Sequence, residues 1–380
     1  MRRFINSIPS GHLTVMALLL LPLISTGQLA PGKLEFRGVY TVPNEFRFQE
    51  TQVGGLSGID YDPIADTFYL ICDDRSALQS ARYYTASIRF SKKGIDTVIF
   101  KEKVDLIAED GKPYPSFRAD AHHTIDPEGL RYNSRTGELV WLSEGERIVT
   151  SKDTVLVDPA IIITRKGKYA GNFLIPDGVA MRLRELGARQ NGSFEALTFA
   201  NDFKTLWVAL EEPLYQDGPR ADVEDGPALC RFIQYDAISR DRVAEYAYDL
   251  DPVAYAPILS SAFRVNGITD ILDAGDNKLI VIERSFSTGR LPCTVKIFLA
   301  DMSSGTEVSK IGGLKGNTAI KPVSKKLLLN MDTLGIHVDN VEGVTWGPRL
   351  ANGHQSLVLV TDNNFQSFQK TQFFLFEVIP

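Results

Sequence analysis

SFEALTFANDFKTLWVALEEPL, residues 193–214, reads as two apolar strands joined by a tight polar turn, the first opening on an acid and Ala and the second closing on an acid. Four other stretches have the same form. They are GGLSGIDYDPIADTFYLICDDR (54–75), DPEGLRYNSRTGELVWLSEGER (126–147), GITDILDAGDNKLIVIERSF (267–286) and NVEGVTWGPRLANGHQSLVLVTDNNF (340–365). From Ser57 to Asp73, Glu128 to Glu144 and Glu195 to Glu211 the interval is 16 residues; Thr269 to Glu283 and Glu342 to Asp362 are read as the same interval with altered turns. A strand repeat with a period near 70 residues implies radial repetition, which sets equivalent side chains on a ring.

Between successive copies the sequence offers two further strands. These are 82–90 and 96–106, 160–166 and 169–176, 228–236 and 242–251, and 294–302 followed by either 307–311 or 325–331. Runs of this length between Gly, Pro, Asp and Asn turns are strand signals. The fold class expected is therefore all-β, a β-propeller of five four-stranded blades, with a sixth left open in 303–340. After the fifth copy only 371–379 remains, so KLEFRGVYTV (33–42) is expected to complete that blade and close the ring, burying the sheet edges. Helical spacing occurs only in 180–190, between blades.

Residues 1–27 combine Arg2 and Arg3, an apolar run from Leu13 to Ile24, and small residues at 25–27, the pattern of a cleaved export signal. The expected product is a single domain over 28–380, secreted or periplasmic, with no stable membrane anchor after cleavage. Removing two Arg and no acids takes the net charge from −6 to −8, which leaves no electrostatic footprint for nucleic acid. Cys72, Cys230 and Cys293 form no CxxC and read as buried thiols, with a Cys72–Cys293 disulfide as the alternative.

Strand 1 of a blade lines the axis and strand 2 runs antiparallel to it, so the start of one and the end of the other share a mouth. Glu128, Glu195 and Glu342 should therefore meet Asp73, Glu144, Glu211, Glu283 and Asp362 there. So many carboxylates need cations or raised pKa values. Arg75, Arg118, Arg147 and Arg284 are placed to supply charge, with Asp126, Asp339, Asn340, Asn363 and Asn364 as further oxygen donors to a Ca²⁺ ion. His123, beside His122, is a candidate general acid or base. The loop 215–227 over the same opening reads as solvated surface or a lid. Serine-hydrolase elbows, HExxH and Walker motifs are absent from the sequence.

The motifs GGLSGIDYD (54–62), DPEGL (126–130), FEALTF (194–199), EEPLYQDG (211–218), ERSF (283–286), DNVEG (339–343) and TDNNF with TQFFLFEV (361–365, 371–378) together resemble the phytase-like family, described as "esterase-like activity of phytase". Ala196 stands where that family's third-blade motif has Gly. The resemblance implies a β-propeller hydrolase acting on phosphate or other ester bonds of a small anionic or ester substrate, a monomer in this reading. It implies Ca²⁺ held among Asp73, Glu128, Glu195, Glu342 and Asp362. Arg75, Arg118, Arg284 and Asn364 would bind substrate, and Glu128, Glu195 and His123 would carry the proton transfers. A non-catalytic ligand-binding propeller and a carbohydrate-active enzyme using two of the carboxylates stay open beside it.

Overall fold

A computed structural model describes residues 31–91 and 94–379; the proposed export signal lies outside them. Five four-stranded antiparallel sheets account for nearly all regular structure. In chain order, blade I comprises Leu56–Asp62, Thr67–Cys72, Arg82–Ser91 and Gly94–Asp105. Blade II has Pro127–Asn133, Glu138–Ser143, Ala160–Arg165 and Lys168–Phe173, and blade III has Phe194–Ala200, Thr205–Leu210, Leu229–Asp236 and Arg242–Asp249. Blade IV holds Arg264–Asp273, Lys278–Ser287, Thr294–Asp301 and Ser324–Asn330. Its last strand is thus the second of the two alternatives; Glu307 only bridges to Tyr246, and no sixth blade forms in 303–340. Blade V joins Asn340–Trp346, Gln355–Asp362 and Thr371–Ile379 to Lys33–Val42, which pairs from Lys33↔Ile379 to Val42↔Thr371 and closes the ring as expected.

First strands touch in the order I, II, III, IV, V and back to I, so they line the axis. Alternation along each strand sends apolar residues into the gaps between blades, and every gap has its own apolar cluster. Between blades III and IV, for instance, Trp207 and Phe232 meet Ile268, Ile271 and Leu279. At about 25 cal/mol per Å² of apolar surface removed from water, these five seams supply the main drive toward a closed ring.

Midway down the axis Arg131 is fully buried. Its guanidinium bonds both oxygens of Asp270, at 3.0 and 2.9 Å, and the carbonyls of Ile59, Ile271 and Val344. One side chain thereby ties blades I, II, IV and V and blocks the channel below the upper mouth. The close approach of first strands also explains the glycines there: a Cβ on Gly129 would lie 2.7 Å from the Glu195 carbonyl. Ala196, the departure noted in sequence, is accommodated as a fully buried member of the III–IV cluster.

Segment 180–190 forms no helix. Gly187 adopts φ +87, and Arg147 captures the carbonyls of Arg182 and Leu183 at 3.0 and 3.2 Å, so the chain bonds outward instead of along itself. The loop 215–227 is anchored, with Asp217 buried against Arg231 at 2.7 Å. All three cysteines are free and buried. No helix among the described residues is long and apolar enough to cross a membrane.

Candidate metal centre and active site

Every first strand carries an irregularity of register, at its second or third residue in blades I, II, III and V and midway along the longer strand of blade IV. The shifts fall between Leu56 and Gly58, Pro127 and Leu130, Phe194 and Ala196, Ile268 and Asp270, and Val341 and Gly343. The residue standing out of register is Ser57, Glu128, Glu195, Thr269 or Glu342, and a bulge re-aims such a side chain. Here the bulged side chains of four blades line the mouth of the axis; Thr269 of blade IV instead bonds the Val341 carbonyl at 2.8 Å.

Counting pairs outward from the bulge identifies the matching position on strand 2. It is Asp73, Glu144, Glu211 and Asp362 in blades I, II, III and V, opposite Gly55, Asp126, Ser193 and Asn340. In blade IV the residue opposite Gly267 is Arg284, not Glu283. The hairpin turn of that blade differs in length, and a one-residue slip turns a side chain to the other face. Glu283 accordingly faces away from the mouth, where Tyr248, Asn266 and Lys325 bond it at 2.6 to 2.7 Å.

The resulting cavity, about 470 Å³, is lined by Asp73, Asp126, Glu128, Glu144, Glu195, Glu211, Glu212, Glu342 and Asp362. Arg284 reaches across its floor to Glu211 at 2.8 Å and Glu342 at 2.9 Å and also bonds Asn340. At the side, Arg75 pairs with Asp126 at 3.3 Å and Glu146 at 2.7 Å, and Arg220 pairs with Glu212 at 2.8 Å. These cations leave an excess of negative charge. Among the described residues no Arg, Lys or backbone N–H bonds the Asp73, Glu128 or Glu195 carboxylates.

Burial and mutual repulsion raise the whole set. Asp73, Glu128, Glu144 and Glu195 stand well above the ordinary carboxylate range, through desolvation first and then neighbouring acids. Desolvation pushes Glu342 up to about 8 although Arg284 opposes it, and Glu212 likewise to about 8. Asp126 and Asp362 rise to about 6, held lower by Arg75 and by the Asn364 amide respectively. Among the described residues Oε2 of Glu342 is buried with no donor, and the Glu195 carboxyl beside Glu342 can bond it only by carrying a proton. A proton or a cation must fill that gap.

The donor set fits a hard cation. Carboxylate oxygens of Asp126, Glu128 and Glu144 lie within 4.8 Å of one another, as do those of Glu144, Glu195 and Glu211, distances that ligands 2.3–2.6 Å from a shared ion can span. Nitrogen and sulfur donors are not among these groups, which disfavours zinc or copper.

Of the residues singled out in sequence, Asp73, Glu128, Glu195, Glu342, Asp362, Arg75, Arg284 and Asn364 all line this cavity. Arg118 and His123 do not. Arg118 is exposed, and His123, with a side chain 76% exposed, bonds Asp120 at 2.8 Å; both sit on the connection into blade II, outside the lining. Arg147 stacks over Tyr215, away from the mouth. Asp339 and Asn363 are spent on backbone amides, of Lys370 and of Gly55 and Phe365. Trp346 ends the first strand of blade V at the opposite rim and donates to the Asp273 carbonyl. The sequence reading missed Glu212, Asn191, Gln369 and the apolar residues Phe263, Val265, Phe286, Leu291, Cys293 and Phe368, which also line the cavity.

A five-bladed propeller with a carboxylate-rich axial mouth is the class defined by this geometry. The sequence matches the phytase-like family, "esterase-like activity of phytase", over residues 51–365, and the chain belongs to that family. A comparison with curated protein sequences finds no match. Similar solved structures include an α-L-arabinofuranosidase from Lactobacillus brevis, with 10% identity, 88% of this chain and 92% of that chain covered and a TM-score of 0.46. The periplasmic gluconolactonase of Pseudomonas aeruginosa aligns at 11% identity over 93% and 98% of the two chains, TM-score 0.38. A GH43 β-xylosidase/α-arabinofuranosidase from a compost metagenome aligns at 11% identity over 90% and 95%, TM-score 0.44.

Proposed function

We propose that the chain is an exported hydrolase of phosphate or other ester bonds that works with Ca²⁺ at the carboxylate-rich mouth. The observation that carries this reading is the convergence of acids from four blades on one cavity, where among the described residues three of them are bonded by no Arg, Lys or backbone N–H and one buried oxygen of Glu342 has no donor. Blade stapling alone accounts for Glu283, whose partners are complete, but not for Asp73, Glu128 and Glu195.

Asp126, Glu128, Glu144, Glu195 and Glu211 would hold the cation, with Asp73, Glu342 and Asp362 on the adjoining wall. Bound there, Ca²⁺ would supply positive charge to a phosphoryl or acyl oxygen and make a coordinated water more acidic. The remaining roles belong to the chain. Arg284 fixes the Glu211 and Glu342 carboxylates in the floor, so their geometry does not depend on the ligand. Arg75, partly exposed at the side, is placed to grip a substrate oxygen while Asp126 and Glu146 orient it.

With His123 outside the cavity, proton transfer falls to a carboxyl. One triad holds the ion at a time: with Asp126, Glu128 and Glu144 as its ligands Glu195 is left to deliver a proton to a leaving oxygen, and with Glu144, Glu195 and Glu211 as its ligands Glu128 is, each raised well above the ordinary carboxylate range by burial and then by neighbouring acids. Arg131 closes the channel beneath, so substrate and product share one mouth. The test is hydrolysis of p-nitrophenyl phosphate, phytate and p-nitrophenyl acetate by purified protein with Ca²⁺ and with EDTA. Calcium-dependent turnover on at least one, lost in Glu195→Gln, is expected; retained Ca²⁺ binding with no turnover on any would make the chain a binding propeller.

A further inference from the structure

Blade IV differs from the other four. Its two ring positions hold Thr269 and Arg284 and no carboxylate, and its inner strands run ten residues each, against six to eight in the inner hairpins of the other blades. The extra length rises above the acidic floor. Two residues beyond the Gly267↔Arg284 pair, on the same face of the hairpin, stands the pair Val265↔Phe286. Phe263 packs beside Phe286 with ring centroids 6.3 Å apart, and its carbonyl accepts from Thr288 N–H at 3.0 Å. Leu291 extends this wall and Phe368 of blade V meets the cavity too.

Three of these side chains are open to solvent: Phe263 is 55% exposed, Leu291 61% and Phe368 64%. Large apolar groups gathered on the lip of a polar cavity leave water only when something covers them. The wall borders the acidic floor; Val265 and Phe286 are mounted on the paired hairpin, which fixes their distance from the ring, and Phe263, Leu291 and Phe368 join them from connections.

We infer that the substrate is amphiphilic, carrying a ring-sized or short-chain apolar group directly beside the ester or phosphate that the floor receives, and that Phe263, Phe286, Leu291 and Phe368 seat that group. This rests on the hydrolase reading above. It also disfavours a substrate charged on all sides. The two Arg residues in the lining, Arg75 and Arg284, are each already paired with two carboxylates, so the cavity has cation capacity for one anionic head and an apolar surface where a second would go. An aryl or acyl ester suits both halves; inositol hexakisphosphate suits one.

The test is calorimetric binding of methylphosphonate and phenylphosphonate to the Ca²⁺-loaded protein. Burial of one ring is expected to make phenylphosphonate at least about tenfold tighter. Phe263→Ala combined with Phe368→Ala should erase that ratio and leave methylphosphonate affinity unchanged, while Phe263→Leu should keep most of it. The replaced side chains are exposed, so the fold is not at stake. Equal affinity for the two phosphonates, or a ratio that survives the double substitution, overturns the inference alone. Failure of both phosphonates to bind removes the hydrolase reading and the inference with it.

Discussion

Arg284 occupies in blade IV the ring position that Glu211 occupies in blade III, and the two side chains meet across the floor of the mouth at 2.8 Å. Radial repetition makes that contact. Identical acids at adjacent ring positions would repel, and one blade breaks the repeat with a cation that also holds Glu342 at 2.9 Å.

Removing that cation should therefore be costly. Arg284→Met strands two buried carboxylates, and loss of one partner from a buried ion pair costs about 3–5 kcal/mol. Urea unfolding of the metal-free variant is expected to show a loss in this range. Saturating Ca²⁺ should recover part of it, because a cation can replace the lost charge.

Glu144 belongs to both carboxylate triads and also accepts the Ser193 N–H at 2.7 Å. Glu144→Gln keeps the shape and that hydrogen bond but lowers the negative charge shared by both triads. A ligand that binds only the native state at a hundredfold excess over Kd stabilises it by about 2.7 kcal/mol. Thermal melts with Ca²⁺ and with EDTA should differ clearly for the natural sequence and by much less for E144Q.

The acids of the mouth set the pH dependence of the metal-free form. Asp126 and Asp362 are raised to about 6, Glu212 and Glu342 to about 8, against roughly 4 in an unfolded chain. Groups raised on folding bind more protons in the native than in the unfolded state, so stability falls as pH rises. Their contribution is complete below about pH 4 and is lost progressively through pH 6 to 8. In EDTA the melting temperature should drop across that interval. With Ca²⁺, which favours the ionised carboxylates, the slope should flatten or reverse.

Ring closure rests on Lys33–Val42, which pairs along the whole length of Thr371–Ile379. Deleting residues 33–42 would expose a nine-residue edge containing Phe373, Phe374 and Phe376. Such an edge templates association, and the truncated chain is expected in aggregates or with a heavily reduced denaturant midpoint, read by size-exclusion chromatography and urea unfolding.

Much of the architecture was legible because a hairpin repeated five times writes its own period. The strands of the blades and the N-terminal closure follow from apolar runs and turn residues alone, except the last strand of blade IV, for which the sequence offers two alternatives and the structure takes Ser324–Asn330. What failed was register: Glu283 and Arg284 are adjacent, and only the paired backbone says which one faces the axis. Arg118 and His123 lie on the connection into blade II, where no strand pairing assigns a direction, and Asp120 holds His122 and His123 within that loop. The apolar wall was illegible for a related reason. Phe263 and Phe368 lie on connections, where no periodicity assigns a direction, and they are brought to one cavity by the folding of blades IV and V. Asp126 was visible as an oxygen donor; Glu212 was hidden beside Glu211 because alternation alone would aim it elsewhere.

The central claim is that the acidic mouth is a cation site rather than a set of blade staples. Calorimetric titration of Ca²⁺ into EDTA-treated protein at pH 7, repeated in two buffers of different ionisation enthalpy, tests it most directly. The account predicts saturable binding accompanied by proton release, because carboxyls that hold protons in the metal-free mouth must give them up to the ion. No saturable heat, or binding that E144Q and Glu195→Gln leave intact, would contradict it.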